Sequence, residues 1–230
     1  PYVSLADDHT VRTRVNELFQ SIRLGGINSY TVDDAHLDKI SALFARIIAQ
    51  LGPEFSYYVH KVSRSLTPAL LPIRGDDFAA QLDRRWRDHL TKSGLRDKSL
   101  TLTVLHRPDA RSILGFVNRS APERLRIETQ KRVQRLRDAV GVFMSGLADL
   151  QPRLLDAGSG ELLGFLGALN TGRELPLYPA SRYGFLAYDI ANTRVTFRED
   201  HFELSEGVVG LRFGRSFTIA EYSESTACTM

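Results

Sequence analysis

With 230 residues, 43% of them hydrophobic and 25% charged, the chain can bury a sizeable core as one domain, or as one domain with a small appendage. A formal net charge of +3 permits nucleic acid, acidic lipid or acidic protein as partner and demands none of them. Cys228 is the one cysteine, so no internal disulfide can form, and no run of about 18 apolar residues exists to cross a membrane.

Along the chain, Val11–Val15 and Leu18–Leu24 are strand candidates on either side of Asn16-Glu17, ending at Gly25-Gly26. Thr31-Val32-Asp33-Asp34 has the composition of a helix start, with a hydroxyl and carboxylates placed to accept from the free N–H groups of the first turn. Leu37, Ile40, Phe44, Ile47, Ile48 and Leu51 follow at helical spacing until Gly52-Pro53. Phe55–Ser63 alternates as a strand, and Leu66–Gly75, with two prolines and a glycine, reads as a loop. Phe78, Leu82, Trp86 and Leu90 then fall at i, i+4 steps on one helical stripe closed by Gly94.

The run Leu100–Arg107 alternates with β-branched residues and stops at Pro108, as a half-buried strand does. A long helix is expected from about Pro122 to Leu150, its apolar side marked by Leu125, Val133, Leu136, Val140, Phe143, Leu147 and Leu150. Glu161–Leu169 is a shorter helix ended near Gly172. Val195–Phe197, His201–Leu204, Val208–Phe213 and Phe217–Tyr222 are strand-like. This order predicts an α+β fold: a mixed, mostly antiparallel sheet with helices packed on one face, resembling a split β-α-β unit with a helical insertion.

Motifs for catalysis are missing. A phosphate-cradling loop needs glycines followed by Lys-Ser/Thr, so that backbone N–H groups and an ammonium answer the phosphate charge. Gly167-Ala168-Leu169-Asn170-Thr171-Gly172-Arg173-Glu174 has the glycine spacing but ends in Arg-Glu and follows a helix, so it reads as a helix end. Gly158-Ser159-Gly160 lacks the third glycine of a dinucleotide fingerprint and reads as the turn before the Glu161 helix. Asp33, Asp34, His36 and Asp38 crowd together, but acids at a helix start are what the helix dipole favours. The histidines stand apart along the chain, with no HExxH or paired-cysteine spacing. The residues assign no catalytic, cofactor-binding or metal-ligating side chain.

Between Arg111 and Arg137 lie eight basic residues, Arg111, Arg119, Arg124, Arg126, Lys131, Arg132, Arg135 and Arg137, against Glu123 and Glu128. Such a stripe can meet phosphates or anionic headgroups, or simply be a solvated helix face whose long stems cover apolar surface. Aromatic residues for base stacking are few there, which weakens the nucleic-acid case. Arg124, Arg126, Lys131, Arg132, Arg135 and Arg137 are the candidate partner-binding or nucleic-acid-binding residues.

Several segments carry a family resemblance. Asp8-His9-Thr10-Val11 with Gln20-Ser21-Ile22-Arg23-Leu24-Gly25-Gly26, then Tyr58-Val59-His60-Lys61-Val62-Ser63-Arg64, then Leu82-Asp83-Arg84-Arg85-Trp86-Arg87 with Leu100–Pro108, and finally Phe217–Thr226 occur in an order that resembles the N-terminal domain of type IV secretion ATPases of the CagE/TrbE/VirB family. The resemblance implies that residues 1–230 are a docking and assembly domain severed from a P-loop ATPase half, non-catalytic itself. It implies ATP and magnesium as cofactors of the parent only. It also implies a cytoplasmic place on the bacterial inner membrane, other secretion subunits as partners, and self-association through the parent. The alternative from the residues is a basic nucleic-acid-binding module using the Arg111–Arg137 region.

Overall fold

The computed structural model describes residues 2–27, 32–65, 75–92, 94–108, 122–171, 184–190, 194–205 and 211–217. Its main sheet is built from β1 (Tyr2–Leu5), β2 (Val11–Thr13), β3 (Leu18–Leu24), β4 (Phe55–Ser65), β5 (Arg96–His106) and the short β6 (Arg153–Leu154). Spatial order is β1-β2-β3-β5-β4, with β6 pairing β3 beyond the end of β2. In register, Leu18 lies opposite His106 and Leu24 opposite Leu100, while Phe55 also faces His106 from the other side.

Five helices accompany the strands among the described residues: α1 (Asp34–Gln50), α2 (Phe78–Lys92), α3 (Pro122–Gly146), α4 (Glu161–Thr171) and α5 (Leu186–Ile190). A second sheet of three strands, β7 (Arg194–Phe197), β8 (Phe202–Ser205) and β9 (Leu211–Gly214), is a simple meander.

The α+β class expected from the sequence is the one observed. Two details differ. Every strand pair among the described residues is antiparallel, so neither sheet is mixed there. Helices also cover both faces of the main sheet rather than one. On one face Leu18, Ile22, Leu102 and Val104 pack with Ile47 of α1 and Val133, Leu136, Val140 and Phe143 of α3. On the other, Phe19 and Leu105 join Leu162, Leu163, Phe165 and Leu166 of α4 and Leu186 and Ile190 of α5. The cause lies in the central strands: Thr101 to His106 are buried without a break, so both faces of β5 need a cover. Of the hydroxyls this places inside, Ser21 and Thr103 pair with each other at 2.9 Å.

Local chemistry explains the element ends. Asp33 caps α1, accepting from the His36 N–H at 3.0 Å, and Asp77 plays the same part for the Ala80 N–H of α2 at 2.8 Å. Gly146, at the end of α3, is a point of close approach. A Cβ there would stand 2.5 Å from Cδ1 of the buried Ile47, so a larger residue would force that side chain to shift where α1 and α3 meet.

Leu66 to Arg74 of the expected loop, Arg111, Arg119, Gly172 to Glu174 and Thr218 to Tyr222 lie outside the described residues. β1, β6 and α5 were not anticipated. Each is five residues or fewer, too short for a periodic signal.

Candidate functional site

The long helix α3 builds one wall of a cavity. Glu128, Lys131, Arg132 and Arg135 stand at i, i+3, i+4 and i+7, which puts them on one face. Opposite them, β5 ends at His106 and continues into Arg107 and Pro108, while the turn between α1 and β4 supplies Pro53 and Glu54. The Arg107 N–H donates to the Glu54 carbonyl at 2.8 Å and the Phe55 N–H to that of Gly52 at 3.0 Å, which ties the turn to the strand end. The cavity opens to solvent and has a volume of about 610 Å³.

Arg132 is the centre of this site. It is a charged side chain left only 6% exposed, within the class of residues that is almost never buried without partners. One nitrogen, Nη2, donates to the Asn16 carbonyl at 2.7 Å. Asn16 adopts φ 61° in the tight turn between β2 and β3, which aims that carbonyl at the helix. Its Nε–H reaches His106 Nδ1 at 3.5 Å, a long hydrogen bond. An arginine nitrogen can only donate, so Nδ1 is the acceptor and the neutral ring carries its proton on Nε2.

That Nε2 is buried and has no partner among the described residues, on a side chain just 3% exposed. Burial and the Arg132 guanidinium hold His106 below the ordinary imidazole range, against the opposing pull of Glu54. Burial also draws Arg132 downward, with Glu128 countering it. The Phe55 ring meets the imidazole edge-on at 5.0 Å and fixes its plane.

The six candidate basic residues therefore do not form one surface. Lys131, Arg132 and Arg135 converge on the cavity. Arg137 turns away to Asp7, donating from Nη2 to Oδ2 at 2.8 Å. Asp7 also accepts from the His9 N–H, and although burial alone would raise its carboxyl, these partners hold it below the usual carboxylate range. Arg126 is exposed outside the cavity lining, and the Arg124 side chain lies outside the described residues. His106, Arg107 and Glu54 complete the site and were missed. The available signal was the phase of the helix: Arg132 falls four residues before Leu136 and eight before Val140, on the inward stripe.

A second feature lies on α2. Its stripe is exposed, Phe78 at 80%, Leu82 and Trp86 each at 58%, with Trp86 stacked on His89. On the same helix Arg87 pairs with Asp83, and Arg84 reaches Asp76 just before it. Strand β4 adds Tyr57, Tyr58 and Val59, all exposed, at the end of the sheet order.

Residues 9 to 113 match the family model described as the type IV secretion system ATPase VirB4/TrbE, N-terminal domain. The matched span runs from the turn before β2 through α1, β4, α2 and β5, so it holds both the α2 stripe and the strand side of the cavity. The α3 side of the cavity falls beyond it. No curated protein matches the sequence. Among the described residues no helix is long and apolar enough to cross a membrane.

Proposed function

We propose that this chain is the non-catalytic docking domain of a type IV secretion ATPase, holding the motor against neighbouring secretion subunits at the inner membrane for pilus assembly and substrate transfer. The observation that supports this reading most is the α2 stripe: Phe78, Leu82 and Trp86 form one apolar face that stays exposed among the described residues. Exposed large aromatic and aliphatic side chains grouped on one rigid element are the composition of an interface core. The match of residues 9 to 113 to a secretion-ATPase family supports a role within an assembly, which would give such a face its use. In this reading the parent takes ATP and magnesium in its ATPase half, self-associates there, and sits on the cytoplasmic side of the membrane.

The nucleic-acid alternative requires the Arg111–Arg137 segment to act as one phosphate-tracking surface. The observed partners of Arg137 and the burial of Arg132 divide that segment, so docking is the better-supported reading.

The test is a Leu82→Glu/Trp86→Glu double variant in the secretion ATPase that carries this chain. Two charges on an exposed face leave folding intact, so the variant keeps its thermal midpoint while co-purification with its secretion subunits and substrate transfer fall. Undiminished co-purification and transfer would remove α2 as the docking face.

A further inference from the structure

We propose that the cavity between α3 and the His106 end of β5 is a binding site for a phosphate monoester. This goes beyond the docking reading and does not depend on it, because none of the α2 residues lines the cavity.

The lining is strongly charged. Four cations, Arg107, Lys131, Arg132 and Arg135, face two carboxylates, Glu54 and Glu128. No ion pair engages Arg107, Lys131 or Arg135 among the described residues, so the carboxylates do not quench them by direct contact. Arg132 is buried and clamped by Asn16, so its guanidinium is already oriented and need not be ordered when a ligand arrives. His106, only 3% exposed, closes the strand side of the cavity behind these cations.

The ligand must therefore be an anion rich in acceptors. A phosphate monoester offers three terminal oxygens and up to two charges, and guanidinium groups match it with paired donors. The two carboxylates argue against an extended polyanion running along α3 and for one compact head group. Room for the rest of such a molecule adjoins the site. A groove of about 460 Å³, sharing Glu54 and Arg135 with the cavity, is walled by Ile47, Leu51, Phe55 and Val142. An anionic head in the basic cavity with an apolar remainder in this groove fits both halves.

Two sources supply that chemistry, a soluble phosphate monoester and a phosphatidic-acid headgroup. The experiment uses the 230-residue chain, with phenyl phosphate followed by ³¹P NMR and calorimetry, and with phosphatidylcholine vesicles with and without phosphatidic acid. Phenyl phosphate binds saturably and shifts the His106 Nε2 resonance. A Lys131→Ala/Arg135→Ala variant weakens binding by about tenfold or more, because both side chains are exposed contributors of charge to the site. Arg126→Ala, on the same helix but outside the cavity, leaves binding unchanged. Vesicles bound through the same pair, with phenyl phosphate competing, assign the lipid source. Phenyl phosphate bound while vesicles are ignored assigns a soluble one. Absence of saturable binding by either probe would overturn the proposal. So would equal loss in Arg126→Ala, which would mean diffuse charge rather than a site.

Discussion

Helices α2 and α3 have the same kind of apolar periodicity and opposite fates. Val133, Leu136, Val140 and Phe143 of α3 disappear into the core against β3, β5 and α1, and Phe143 is wholly buried. Phe78, Leu82 and Trp86 of α2 keep more than half of their surface in water. Periodicity states that a helix has an apolar face; it does not state what covers that face. In α3 the cover comes from the chain's own sheet; in the proposed docking role, α2 takes its cover from another subunit.

The sharpest way to break this contrast is to truncate one large side chain from each helix. Phe143→Ala should cost about 3–5 kcal/mol, since it empties the volume of a whole ring inside a packed core. Trp86→Ala should fall within about 0.5 kcal/mol, because an exposed ring gives up little on removal. Urea unfolding of both variants measures the difference. Similar losses at the two positions would mean that α2 is packed in solution and that its stripe belongs to the fold.

An intermediate effect sharpens the description of α3. Arg132→Ala leaves the Asn16 carbonyl and His106 Nδ1 without their donor, and should cost about 1–3 kcal/mol by the same unfolding measurement. Arg126→Ala, one and a half turns earlier and exposed, should be near neutral. Equal and small effects would place Arg132 in solvent.

The smallest effect is a pH dependence. The folded state holds His106 below its ordinary value, chiefly through burial and Arg132, so the unfolded chain takes up that proton first as pH falls below about 6.5. Stability is therefore fully present above that pH and declines beneath it until the folded ring protonates too. His60, also held low by burial, adds a slope of the same sign. His106→Gln should flatten, without abolishing, the loss between pH 7.5 and 5.5 seen in urea midpoints; an unchanged slope would contradict the buried neutral ring.

Much of this architecture was legible from local pattern. β3 spans the expected Leu18–Leu24, and α1, β4, α2, β5, α3 and α4 appear where alternation or helical spacing placed them. What was not legible depends on contacts distant in sequence. The second helical layer could have been inferred from the unbroken burial of Thr101 to His106, yet alternation of Thr and Leu there imitates a strand with one wet face. Ser21 pairing with Thr103 hides hydroxyls that a sequence reading leaves in solvent. The cavity was half visible: Lys131, Arg132 and Arg135 stood in the basic stripe, whereas His106, Arg107 and Glu54 reach it from a strand end and a turn that only the sheet register brings near.

Whether the α2 stripe is an interface can be read from a photo-activated crosslinker at position 86 of the full-length protein in cells assembling the secretion system. A docking α2 gives a covalent adduct with a second secretion subunit, lost in Leu82→Glu. No adduct at position 86, with adducts still formed from exposed positions elsewhere on the domain, would contradict it.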